Sequence, residues 1–76
     1  MTCKLTECRR GDRVKIVRIE TGERAALGLM NLGLDVGHTV ELVQGSLLRG
    51  PILVRRGDTE IAIGHGLAKK IFVEKE

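Results

Sequence analysis

Hydrophobic and polar residues alternate in several short segments of the chain, which is the pattern of half-buried β-strands. In residues 39–44 (TVELVQ), the alternation puts Val40 and Leu42 on one face. Segment 13–20 (RVKIVRIE) alternates too, but its phase slips after Ile16, which predicts a β-bulge or a strand buried on both faces. The other predicted strands and their inward residues are 51–56 with Ile52 and Val54, 59–63 with Ile61 and Ile63, and 70–74 with Ile71 and Val73.

A helix is predicted over residues 21–32, between the first two predicted strands. Thr21 is expected to cap its start, and Gly33 to end it in the left-handed conformation. At about 100° per residue, Leu27 falls on the polar side of this helix. The residues predicted to face the strands are Ala25, Ala26, Leu29, Met30 and Leu32.

The order of these elements predicts one small domain. Gly57 and Asp58 lie between two predicted strands and suit a two-residue hairpin turn, and residues 64–70 (GHGLAKK) suit a short helical turn. A chain of 76 residues is long enough for a single domain, residues 1–76. About five short strands, one small helix after the first strand and tight turns predict a mainly β, small curled β-barrel.

Two sets of leucines are candidates for contact with a partner. Leu27 lies opposite the predicted buried face. Three explanations are open: it is a single exposed leucine, a neighbouring loop covers it, or it contacts a partner together with Met30. Leu47 and Leu48 lie between glycines in a predicted loop. These two leucines either fold back over the end of the barrel or reach a partner.

Composition narrows the choice of partner and compartment. Apolar residues make up 42% of the chain and charged residues 30%, as in soluble globular domains, and no segment has the apolar length of a membrane span or a signal peptide. We therefore expect a cytoplasmic protein with reduced cysteines and no insertion in the membrane. The net charge of +3 comes from interspersed signs, and Phe72 is the single aromatic residue, which disfavours nucleic-acid binding.

The sequence carries no pattern typical of an enzyme. No phosphate-binding glycine loop is present, and the glycines of LGLMNLGLDVG end a predicted helix rather than open one. The carboxylates lie beside basic residues in strands and turns, where solvation is the simpler explanation. We therefore expect no enzymatic activity.

Four soft ligands suggest a metal site, although their spacing is not that of a zinc finger. Cys3, Cys8, His38 and His65 supply the donors of a tetrahedral site. The alternative without metal leaves Cys8 half-buried, Cys3 in a fraying terminus and both histidines in loops. No cofactor is expected to be required, and any metal is expected to be adventitious or weakly bound iron or zinc.

Residues 5–74 resemble the FeoA family of small cytosolic proteins. The segments that carry the resemblance are Gly11-Asp12, the helix end from Leu29 to Gly33 with Leu34 and Gly37 after it, Gly50-Pro51-Ile52, and residues 68–73. The resemblance implies an SH3-like β-barrel with a helix inserted after the first strand.

The same resemblance implies a non-enzymatic accessory protein of ferrous iron uptake. Its implied partner is the cytoplasmic GTP-binding part of the membrane transporter FeoB. From the helical wheel, we expect Arg24, Leu27 and Met30 to contact that partner. An alternative is a metal-binding or metal-responsive module, because similar SH3-like domains occur at the C-terminal ends of iron-dependent repressors. Pairing with a second copy through exposed strand edges also stays open.

Overall fold

The computed structural model of the chain describes residues 1–45 and 49–76. Its strands are β1 (Thr2–Lys4), β2 (Arg13–Ile19), β3 (Thr39–Gln44), β4 (Ile52–Arg56), β5 (Thr59–Ile63) and β6 (Ile71–Lys75). Its helices are α1 (Glu23–Asn31) and α2 (His65–Ala68), and a 3₁₀ turn spans Leu5–Glu7. No helix in these ranges has the length and apolar character needed to cross a membrane.

The strands form one antiparallel sheet in the order β1-β6-β2-β3-β4-β5. The predicted mainly β, SH3-like fold with a helix after the first predicted strand is confirmed. The prediction of about five strands was one strand short, because β1 was not predicted. The expected fraying of the N-terminal residues is also wrong, since Cys3 pairs with Val73 of β6.

One hydrophobic core lies against the sheet, and the predicted alternation fills it. Each of β2 to β6 contributes two buried residues, and α1 and the chain segments around it add Leu29 and Leu34. The strand residues are Val14, Ile16, Val40, Leu42, Ile52, Val54, Ile61, Ile63, Ile71 and Val73. The predicted irregularity in β2 is a shift in its register with β6 between Ile16 and Arg18.

The predicted hairpin between β4 and β5 is confirmed. Arg56 pairs with Thr59, which leaves Gly57 and Asp58 as the turn. Gly57 has a φ of 62°, a left-handed value that glycine adopts without steric cost.

Helix α1 starts later than predicted, and its last residue is Asn31, one residue before the predicted end. Gly22 is its N-cap and no side chain caps it, so the capping role predicted for Thr21 is wrong. Gly33 follows the helix with a φ of 86°. The amide of Gly33 donates to the carbonyl of Met30 and that of Leu34 to the carbonyl of Leu29, both at 2.9 Å. These two bonds form a Schellman motif, which satisfies carbonyls at the helix end.

The face that α1 buries is narrower than predicted. Leu29 is 3% exposed and the two alanines before it are half-buried, but Met30 and Leu32 are about half exposed. Leu32 lies past the last helical residue with φ −87° and ψ 0°, so a helical wheel places its side chain incorrectly. Met30 lies at the margin of the predicted face, where a small rotation of the helix decides burial.

Candidate protein-interaction site

Several large apolar side chains are exposed along α1 and in the segment that follows it. Leu27 is 50% exposed, Met30 49%, Leu32 55% and Val36 54%. We call these four residues the α1 apolar surface. Leu27 and Met30 are three positions apart, so they are neighbours on the helix. The exposure predicted for Leu27 is therefore observed, and no loop in the described ranges covers it.

A shallow groove of about 600 Å³ runs along the exposed side of α1. Its lining residues are Glu23, Arg24, Leu27, Gly28 and Asn31. The groove thus brings together two of the predicted partner-binding residues, Arg24 and Leu27. Gly28 borders open space, because a Cβ atom at this position would meet no atom within 4 Å. An apolar centre with polar residues at its rim is typical of a protein-binding surface.

The segment after α1 is fixed to the sheet by hydrogen bonds. The amide of Gly37 donates to the carbonyl of Ile16 at 2.8 Å, and the amide of Ile16 donates to the carbonyl of His38 at 2.9 Å. The carboxylate of Asp35 accepts from the amide of Val36 at 2.7 Å. Val36 is therefore exposed on an ordered turn. Val36 was not predicted from the sequence, although its place between Asp35 and Gly37 in a turn was the available signal.

The other predicted partner-binding residues, Leu47 and Leu48, lie outside the described residues. They stay predictions. Met30 belongs to the α1 apolar surface but not to the lining of the groove.

The four predicted metal ligands are only partly brought together. The Sγ atoms of Cys3 and Cys8 lie 4.0 Å apart, whereas Nδ1 of His38 lies 2.8 Å from the carbonyl oxygen of Gly33. Within residues 1–45 and 49–76, no group of three or more His, Cys, Asp or Glu side chains could hold a metal ion. His65 is the first residue of α2 rather than part of a loop. This arrangement does not bring the four residues together, and the metal site stays a prediction.

The two cysteines differ in environment. Cys8 is 5% exposed and lies in the core, rather than half-buried, and Cys3 is half-buried in β1 rather than loose. Burial, followed by the proximity of Cys3, raises the pKa of the Cys8 thiol to about 12. Without a metal ion, Cys8 is consequently a neutral thiol at physiological pH, and a metal ion that bound it would displace its proton.

Comparison with known proteins assigns the family. A sequence model described as the FeoA domain matches residues 3–75. The chain belongs to the FeoA family. It is 31% identical over 70 residues to the "Putative Fe(2+) transport protein A" of Methanocaldococcus jannaschii, covering 92% of this chain and 83% of that protein.

Solved structures agree with this assignment. The crystal structure of an iron uptake regulatory protein (FeoA) superposes with a TM-score of 0.86 at 36% identity, covering 100% of this chain and 99% of that one. ScaR with bound Zn²⁺ superposes with a TM-score of 0.85 at 22% identity, covering 97% of this chain but 37% of that chain. The likeness to ScaR shows the fold alone. Membership of the FeoA family connects this chain with Fe²⁺ transport, and this family is not known for enzymatic activity.

Proposed function

We propose that this FeoA protein is a non-enzymatic cytoplasmic adaptor that binds the GTP-binding domain of a FeoB-type membrane transporter and thereby supports ferrous iron uptake. The observation that carries the proposal is the α1 apolar surface beside the groove of Arg24 and Leu27. The family's connection with Fe²⁺ transport supplies the class of partner.

The size of the protein sets how much of its surface such a contact takes. A stable interface buries about 800 Å² on each partner. The protein exposes 4961 Å², so this contact would cover about a sixth of its surface. The α1 apolar surface would supply the centre of that area, and polar residues such as Glu23 and Asn31 would supply part of its rim.

Leu27 is the residue to change first, because it belongs both to the apolar surface and to the groove. We expect Leu27→Glu to weaken binding to the GTP-binding domain of the cognate transporter at least about tenfold, since a carboxylate would be buried without a partner. Isothermal titration calorimetry measures this effect. Circular dichroism shows whether the variant keeps its fold.

Ala62→Glu is the matched control. Ala62 is exposed in β5 and lies outside the α1 apolar surface, so the same new charge there should leave binding unchanged. Equal binding by Leu27→Glu and wild type would move the contact away from α1. No binding by wild type, with and without GTP, would overturn the proposed adaptor function.

A metal-responsive role is the second candidate, and the proximity of the Cys3 and Cys8 sulfur atoms favours it. Metal analysis of protein purified without a histidine tag tests this role. About one equivalent of iron or zinc, lost in Cys3→Ser, would support it. Sedimentation of the same sample shows whether the protein pairs with a second copy.

A further inference from the structure

The chain places two thiols in contact by a local arrangement. Cys3 is held in β1 opposite Val73, and the 3₁₀ turn Leu5–Glu7 then reverses the chain so that Cys8 returns beside it. The amide of Cys8 donates to the carbonyl of Leu5 at 3.2 Å. The Sγ atom of Cys8 lies 3.7 Å from the carbonyl oxygen of Lys4 and 4.0 Å from Sγ of Cys3. The two sulfur atoms are therefore nearly in van der Waals contact.

The two thiols differ in access to solvent. Cys3 lines a cleft of about 320 Å³ together with Met1, Glu7 and Lys75. Cys8 lies behind it in the core. A small disulfide reagent can thus reach Cys3 from solvent, and Cys8 can be reached through Cys3.

We propose that Cys3 and Cys8 form a reversible intramolecular disulfide, with Cys3 as the thiol that reacts first and Cys8 as the thiol that resolves it. The oxidant belongs to the class of low-molecular-weight disulfides, such as glutathione disulfide. The reduced pair is the form that the structure shows.

The reaction takes place in two thiol–disulfide exchanges. The Cys3 thiolate attacks one sulfur of glutathione disulfide, which forms a Cys3–glutathione bond and releases one glutathione. The Cys8 thiolate then attacks Sγ of Cys3, which forms the Cys3–Cys8 bond and expels the second glutathione. Each cysteine gives up one proton, and each departing glutathione thiolate takes one up. One glutathione disulfide is reduced as the cysteine pair is oxidised.

The geometry favours the second exchange over reaction with another molecule. Bond formation needs the sulfur atoms to move from 4.0 Å to about 2 Å, and Cys3 borders the open space of the cleft. Both exchanges proceed through a thiolate, so the formation of the disulfide should be faster at pH 9 than at pH 7.

The disulfide would tie β1 to the segment after the 3₁₀ turn. β1 is one of the two edge strands of the sheet and pairs only with β6 in the described ranges. A covalent link at Cys3 limits the separation of β1 from the sheet. The amides of β1 should therefore exchange with solvent at least about tenfold more slowly in the oxidised protein. The redox state of the pair would therefore set how firmly β1 is held.

The experiment uses the purified full chain in mixtures of glutathione and glutathione disulfide. Intact mass spectrometry after acid quenching follows the products with time at pH 7, 8 and 9. Wild type should pass through a species heavier by one bound glutathione and end as a monomer lighter than the reduced protein by two hydrogen atoms. Hydrogen exchange then compares β1 in the reduced and oxidised forms.

Two single-cysteine variants serve as controls. Cys8→Ala keeps Cys3 and should stop at the glutathione adduct. Cys3→Ser keeps the buried Cys8 and should stay unmodified while folded. If Cys8→Ala fails to fold, the adduct and its decay in wild type still report the two exchanges. A persistent adduct in wild type, a disulfide-linked dimer, or no reaction at Cys3 would overturn the proposal.

Discussion

Nδ1 of His38 lies 2.8 Å from the carbonyl oxygen of Gly33 and 3.2 Å from the amide nitrogen of Asp35. The ring therefore links the residue that ends α1 to the turn that returns the chain to β3. This position gives His38 a structural role that does not depend on a metal ion.

His38→Ala should lower the free energy of unfolding by about 1 kcal/mol, the usual contribution of one such hydrogen bond. His38→Asn keeps a polar side chain near Gly33 and should recover part of the loss. Urea denaturation of the three proteins measures the difference. An unchanged stability in His38→Ala, combined with loss of bound metal, would instead assign His38 to a metal site.

Gly33→Ala should destabilise the protein by about 1–2 kcal/mol, because a residue with a Cβ atom is strained at a φ of 86°. The added Cβ would also lie 2.7 Å from Nη1 of Arg56, but that flexible side chain can move away. Gly28→Ala is the matched control within α1. Its φ is not positive and its Cβ would meet open space, so it should stabilise the protein by about 0.5–1 kcal/mol. Thermal unfolding followed by circular dichroism compares the two, and equal effects would contradict the role of Gly33 in ending the helix.

The two leucines on opposite sides of α1 should respond very differently to truncation. Leu29→Ala removes a side chain that is 3% exposed and should cost about 2–5 kcal/mol of stability. Leu27→Ala removes one that is 50% exposed and should stay within about 0.5 kcal/mol of wild type. Chemical denaturation provides both values. A large loss in Leu27→Ala would mean that Leu27 supports the fold, and the binding test of Leu27→Glu would then need another residue.

Protonation of the Asp12 carboxylate should make the protein less stable in acid. Its carboxylate accepts a hydrogen bond from the amide of Arg9 at 2.7 Å and lies 3.4 Å from Nζ of Lys75. These contacts, that with Arg9 first, hold the pKa of Asp12 below its ordinary value of 3.8. Because the pKa is lower in the folded state, the contribution is complete well above 3.8 and is lost as the pH falls through the folded-state value.

Asp12→Asn should therefore flatten the dependence of unfolding free energy on pH between about pH 5 and pH 2. Asp58→Asn, in the exposed turn between β4 and β5, is the control for the loss of one carboxylate. Urea titrations at several pH values measure the slopes. The same slope in Asp12→Asn and wild type would show that other groups govern the acid sensitivity.

The strands were predictable because a period of two is visible in segments of five or more residues. β1 has three residues, of which Cys3 alone points toward the core, so no alternation can appear in its sequence. Its partner is β6, at the other end of the described chain. A pairing between such distant segments leaves no local signal.

The candidate site was predictable at Leu27 because a helical wheel shows which residue opposes the buried face. The helical wheel failed at Leu32, because the backbone leaves the helical conformation before the hydrophobic pattern ends. The metal-site hypothesis did place Cys3 and Cys8 together, but the way in which they meet could not be foreseen. It depends on the 3₁₀ turn and on the pairing of β1, and neither has a signature in the sequence.

The pairing of Thr2 with Glu74 also has a consequence for the order of folding. Hairpins between neighbouring strands such as β4 and β5 close short loops, whereas β1 and β6 can meet only after nearly the whole chain has been brought together. The entropy lost in closing a loop grows with its length. We therefore expect the β3–β4–β5 meander to form early, and the ladder of β1 on β6 to complete the sheet last.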